Sequence, residues 1–89
     1  MTRERFLHQF RAEYPEYESH FDPVANEYGL PLSPSGTYKF LEWIEGSERE
    51  RILGLDAAAI RESLVQRFGT AVKVGRIGAW DQPANNDVG

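Results

Sequence analysis

The sequence predicts a mainly α-helical domain, a small bundle of about four to five short helices, with α+β as the alternative. Three observations carry this. Aromatic and aliphatic residues recur at helical spacing through the first third of the chain. Capping residues and glycines cut the remainder into short helical pieces. A single C-terminal stretch alternates as a strand would.

The helical spacing is clearest in Phe6, Phe10, Tyr14, Tyr17, Phe21, Val24 and Tyr28. At about 100° per residue these fall within an arc of about 80°. Pro15 and Pro23 lie inside that stripe. Each lacks a backbone donor, costs about 3 kcal/mol in a helix interior and pushes the preceding residue away from helical angles. The conflict predicts a broken helix in three pieces: Arg3 to Glu13, Pro15 to Phe21, and a third opened by Asp22 as cap with Pro23 at its first position and closed by Gly29.

Residues 30–37, LPLSPSGT, are a loop by composition, and the next helix starts at Ser33-Pro34 or slightly later. In YKFLEWIE, Tyr38, Leu41 and Ile44 share a face, and Gly46 ends the piece. Ser47 and Glu50 form a capping-box pattern that opens a short helix through Leu53. Asp56 caps AAAIRESLVQRF, with Leu55 and Ile60 placed as a hydrophobic staple. Ile60, Leu64 and Phe68 are its expected buried face, while Arg61 and Glu62 point to solvent. TAVKVGRI, residues 70–77, then alternates β-branched and polar positions and predicts a strand or hairpin. Its backbone must pair with Leu30–Leu32, with itself near Gly75, with a second copy of the chain, or with another protein. Residues 1–80 are expected to form one globular domain and 81–89 a disordered tail.

Composition narrows the function classes. With 40% hydrophobic and 27% charged residues, the 89-residue chain can bury one modest core. The absence of cysteine excludes disulfides, thiolate zinc sites and thiol nucleophiles. The start, MTRERFLHQF, has no uninterrupted apolar region and is not expected to be a secretory signal. No run is long enough to span a membrane, so a cytoplasmic location is expected. Charge is uneven: residues 1–50 hold ten acids and five bases, residues 51–89 four acids and five bases. The acidic half should repel nucleic acid weakly.

No catalytic constellation is visible, and no cofactor or metal is implied. His8 follows Glu4, and His20 follows Glu16, by four residues. Such pairs could orient a base or hold a metal, but on one helix the two histidines face directions about 120° apart. They are expected to be exposed surface pairs. The serines sit at caps and turns, not in a nucleophile elbow. An enzyme is therefore not expected.

What remains points to a protein-interaction domain, an adaptor or inhibitor. Its expected binding residues are Glu13, Tyr14, Glu16, Tyr17, Glu18 and Asp22, an acidic and aromatic run, together with Trp43 and Trp80 as aromatic anchors. The partner would be a protein with a basic surface, or a second copy of the chain joined through the strand edge. The alternative is a small DNA-binding regulator. Residues 47–76 have a helix-turn-helix outline, and Arg51, Arg61, Arg67, Lys73 and Arg76 could contact phosphates. The second helix, however, would present Asp56 and three alanines to the bases, a poor surface for recognition.

Overall fold

Pro15 decides where the first helix stops. The computed structural model describes residues 2–76, and within them helix α1 covers Thr2–Glu13. Tyr14 leaves helical angles at φ −129°, as a residue before proline must, and Pro15–His20 continues as a 3-10 turn. The stripe survives this break. Phe10 is fully buried, and Tyr14, Tyr17 and Phe21 lie partly buried against it with ring centroids at 5.2, 6.0 and 6.3 Å.

The third predicted piece is not a helix. Residues 22–29 form bends and turns instead, and Val24 is 72% exposed, off the stripe. The physical reason is Asn26. Its Oδ1 accepts from the backbone N–H of Tyr28 (2.9 Å) and of Leu30 (3.1 Å). Its Nδ2 donates to the Leu32 carbonyl (3.3 Å) and to Thr37 Oγ1 (2.8 Å). An asparagine that offers the backbone these partners outcompetes the helical ladder. Asp22 caps a turn, not a helix, accepting from Val24 N–H at 2.9 Å. The segment then returns to pair Phe21 with Leu32 in one antiparallel bridge, flanked by Asp22 N–H to the Pro31 carbonyl and Ser33 N–H to the His20 carbonyl.

Helix α2, Pro34–Ile44, starts at the earliest of the predicted positions. Ser33 is its N-cap, accepting from Gly36 N–H at 3.0 Å, with Pro34 at the first helical position. It is the central element: Phe40, Leu41 and Ile44 are fully buried, and it packs chiefly against α4. Helix α3, Glu48–Leu53, ends on Gly54 at φ +69°, the left-handed position that favours glycine. Helix α4, Ala57–Phe68, begins at Asp56, which accepts from Ala59 N–H at 3.2 Å. Leu64 is buried and Ile60 partly buried, as expected, but Phe68 is 39% exposed under the Arg67 guanidinium.

The predicted strand is replaced by a second 3-10 turn, Gly69–Val72, and a further turn through Gly75. Local hydrogen bonds close it: Lys73 N–H to Thr70, Gly75 N–H to Val72 and Arg76 N–H to Ala71 carbonyls. The β-branched alternation misled because only one valine is used. Val72 is buried, while Val74, which a strand would place on the same face, is 63% exposed. With local closure available, the backbone needs no strand partner. The proposed sheet edge, and the dimer built on it, lose their basis among the described residues. The tail 81–89 and Trp80 lie outside them.

Replacing Asn26 with alanine removes four side-chain hydrogen bonds and takes the acceptor from the Tyr28 and Leu30 N–H groups. It should cost about 2–4 kcal/mol. Urea denaturation followed by tryptophan fluorescence measures this as a lowered midpoint with an unchanged slope.

Candidate functional site

The acidic run divides into carboxylates already used and carboxylates left over. Glu18 is engaged by Arg11, whose Nε donates to Oε1 at 3.1 Å and whose second nitrogen closes on Oε2. The same guanidinium lies 4.6 Å from the Phe21 ring centroid. Asp22 is held by its turn. Glu13 and Glu16 are exposed and, among the described residues, enter no ion pair.

The aromatic residues belong to one cluster around Phe10. Tyr14 and Tyr17 meet edge to face at 6.5 Å. Trp43, far away in sequence, joins them: its ring centroid is 5.6 Å from Phe10 and 5.7 Å from Phe40. Tyr14, Tyr17 and Trp43 are each partly buried, packed against the core without being enclosed by it. Two cations lie on this cluster that sequence spacing did not single out. Lys39 Nζ is 4.9 Å from the Tyr14 centroid and 3.4 Å from Glu42. The Arg49 guanidinium is 4.0 Å from the Trp43 centroid. Arg49 reaches Trp43 across the Gly46 turn, which no local periodicity encodes. Cation–π contacts of this kind contribute about 0.5–1 kcal/mol at exposed sites.

The two histidines separate. His8 is exposed and lines a shallow groove of about 240 Å³ with Glu4, Leu7, Arg11, Phe21 and Pro31. His20, expected at the surface with Glu16, instead turns inward, with Nδ1 2.7 Å from Ser33 Oγ and its ring 4.9 Å from Tyr17. Burial lowers its pKa from the usual histidine value. No group of three or more metal-ligating side chains converges among the described residues.

The basic residues of the helix-turn-helix outline are mostly engaged within the molecule. Arg51 pairs with Glu48. Arg67 donates to Glu27 at 2.7 Å and to the Tyr28 hydroxyl at 3.3 Å, contacts that raise its pKa. Arg61 was expected in solvent but is partly buried. It donates to the Tyr38 hydroxyl at 3.3 Å and to Glu45. Burial opposes its charge, yet those two partners hold its pKa above the usual value. Lys73 and Arg76 remain exposed, and Lys73 lines an open cavity of about 270 Å³ with Tyr38, Ala58, Arg61, Glu62 and Val65. At the start of α4, Ala57 is fully buried, so only Ala58 and Ala59 are accessible there.

Glu50 links α3 to the start of α4. Its Oε1 accepts from Gly46 N–H at 2.9 Å and its Oε2 from Ala57 N–H at 2.9 Å. One carboxylate therefore ties the start of α3 to the first residue of α4. No helix of the described residues is long and apolar enough to cross a membrane. Compared with family models, curated proteins and solved structures, the chain has no match.

The Gly46 and Ala57 N–H groups favour ionised Glu50 and hold its pKa below the ordinary glutamate value. A depressed carboxylate pKa contributes stability that is present above the unfolded-state value, about 4.3, and is lost as pH falls below it. Glu50→Gln should therefore lower the thermal midpoint at neutral pH. The difference from the parent should shrink as pH is taken down through the glutamate range in calorimetry.

Proposed function

We propose that this protein is a non-catalytic interaction domain that docks a basic protein surface through the Phe10-centred aromatic cluster. Tyr14, Tyr17 and Trp43 supply the anchors, and Glu13 and Glu16 supply the charge. The observation that carries this reading is the convergence of three partly exposed aromatic rings on one buried ring, beside two carboxylates that enter no ion pair among the described residues. Aromatic anchors with low conformational freedom, set in a rim of charge, are what interface hot spots use. Glu18 and Asp22, occupied by Arg11 and the Val24 turn, support the face without contributing free charge to it.

A second copy of the chain is the other partner of suitable chemistry, because Lys39 and Arg49 lie on rings of the same aromatic cluster. The DNA-binding alternative draws less support, since Arg51, Arg61 and Arg67 each direct their charge to a carboxylate of this chain.

Affinity capture from native extract, followed by titration with the purified captured protein, tests the reading. Glu13→Gln/Glu16→Gln should weaken binding about tenfold at low salt and flatten its salt dependence. Tyr17→Ala should also weaken it. Capture of the same proteins, with unchanged affinity, by both variants would overturn the proposed face. Light scattering distinguishes self-association from binding to another protein. A gel shift with arbitrary duplex at low salt should show no retardation at about 10 μM protein.

A further inference from the structure

The tie between His20 and Ser33 occupies an unusual position. Ser33 is fully buried and is the N-cap of α2, the central helix of the core. Its Oγ accepts from Gly36 N–H, which leaves its own hydrogen to donate, and His20 Nδ1 is 2.7 Å away. Ser33 N–H donates in turn to the His20 carbonyl at 2.7 Å. Two reciprocal bonds thus hold the end of the acidic 3-10 turn to the first turn of α2. The approach is close: a Cβ on Gly36 would lie 3.0 Å from the His20 Cβ. We propose that His20 is a proton-operated latch: neutral, it accepts the Ser33 hydroxyl and fastens the Pro15–His20 turn to α2; protonated, it releases that turn.

The chemistry rests on the donor and acceptor count. A neutral imidazole with its hydrogen on Nε2 accepts at Nδ1. An imidazolium donates from both nitrogens, so the Ser33 hydrogen loses its acceptor. That hydroxyl has no access to water, and an unsatisfied buried donor is costly. The new charge also sits beside the N-terminus of an 11-residue helix, where the helix dipole disfavours cations.

Few groups offset that charge. Tyr17 is the titratable ring in contact with His20. On the same turn, Glu16 is exposed and Glu18 is closed by Arg11 of α1. The C-terminal part of α1 also brings Glu13 and Tyr14. Helix α2 brings Tyr38, which receives Arg61, and Lys39, which pairs with Glu42. Asp22, just beyond the turn, holds Val24 N–H. Among the described residues none of these carboxylates bonds the imidazole, so burial governs its titration. For a histidine whose folded pKa is depressed, the stabilising contribution is complete above the free value of about 6.5. It is lost as pH falls from there toward the lower folded value. The latch therefore opens on mild acidification. It concerns how the turn is attached and holds whether or not the turn docks a partner.

Nuclear magnetic resonance of the intact chain tests it, with His8→Gln used to assign the two imidazoles. His20 should titrate below about 6.5. The Gly36 and Ser33 amide shifts should move with the same midpoint. Amide-exchange protection of Ser33 and Asp22, corrected for intrinsic rates, should fall between about pH 7 and 5. The loss should be about tenfold for every pH unit separating the His20 titration from that of free histidine. His20→Asn, which keeps a hydrogen-bonding side chain without titrating, should abolish that pH dependence. A His20 midpoint at or above about 6.5, or flat protection of Ser33 and Asp22 in the parent protein, would overturn the latch.

Discussion

The Phe10 ring is the contact on which the first half of the molecule depends. It lies between 5.2 and 6.3 Å from Tyr14, Tyr17, Phe21, Phe40 and Trp43, which belong to α1's exit, the 3-10 turn, the β-bridge and α2. Because the ring is fully buried, its partners must adopt positions around it, whatever their local backbone prefers. This is how a stripe interrupted by Pro15 still faces one core. The proline sets the backbone break, and the shared ring sets the direction in which the side chains converge. The same geometry leaves Tyr14, Tyr17 and Trp43 only partly buried.

A second constraint is the satisfaction of polar groups in the return segment from Phe21 to Ser33. This stretch crosses the core with Leu30 and Leu32 fully inside, yet it contains no regular ladder. Three side chains take the place of a sheet or helix. Asn26 serves the backbone N–H groups of Tyr28 and Leu30 and the carbonyl of Leu32. Thr37 joins that network, and Ser33 joins the helix start to His20. Buried polar networks of this kind favour one conformation because each member leaves a costly vacancy when displaced. One of these ties, His20 to Ser33, carries a titratable ring whose pKa burial lowers from the usual histidine value.

Much of the fold was legible in the residues. The caps at Ser33, Ser47 and Asp56, the stop at Gly54 and the break at Pro15 all act through neighbours a few positions away, and spacing therefore reveals them. Ser47 and Glu50 were recognisable as a capping pair, but the reciprocal box does not form: Ser47 accepts from Arg49 N–H, and Glu50 accepts from Gly46 and, across two helices, from Ala57. The helix expected over 23–29 failed where Asn26 found partners as far ahead as Thr37. Over its described part, residues 70–76, the expected strand failed where turn hydrogen bonds closed the backbone locally. Of the candidate binding face, Tyr14, Tyr17, Glu13 and Glu16 could be named from the acidic aromatic run. The separation of free from occupied carboxylates could not, since Arg11 meets Glu18 only after the chain bends.

By itself the sequence determined the helical class, the positions of the four α-helices and the inward side of the aromatics in EYPEYESHF, since periodicity and capping are local properties. Only the tertiary structure decided which carboxylates enter ion pairs among the described residues, that His20 turns toward Ser33 and that Trp43 joins the aromatic cluster. Ion pairs, burial and ring contacts depend on residues brought together from different elements. Arg61 with Glu45, His20 with Ser33 and Arg49 with Trp43 are each such a meeting. The chemistry available at this protein's surface is what those meetings leave unspent.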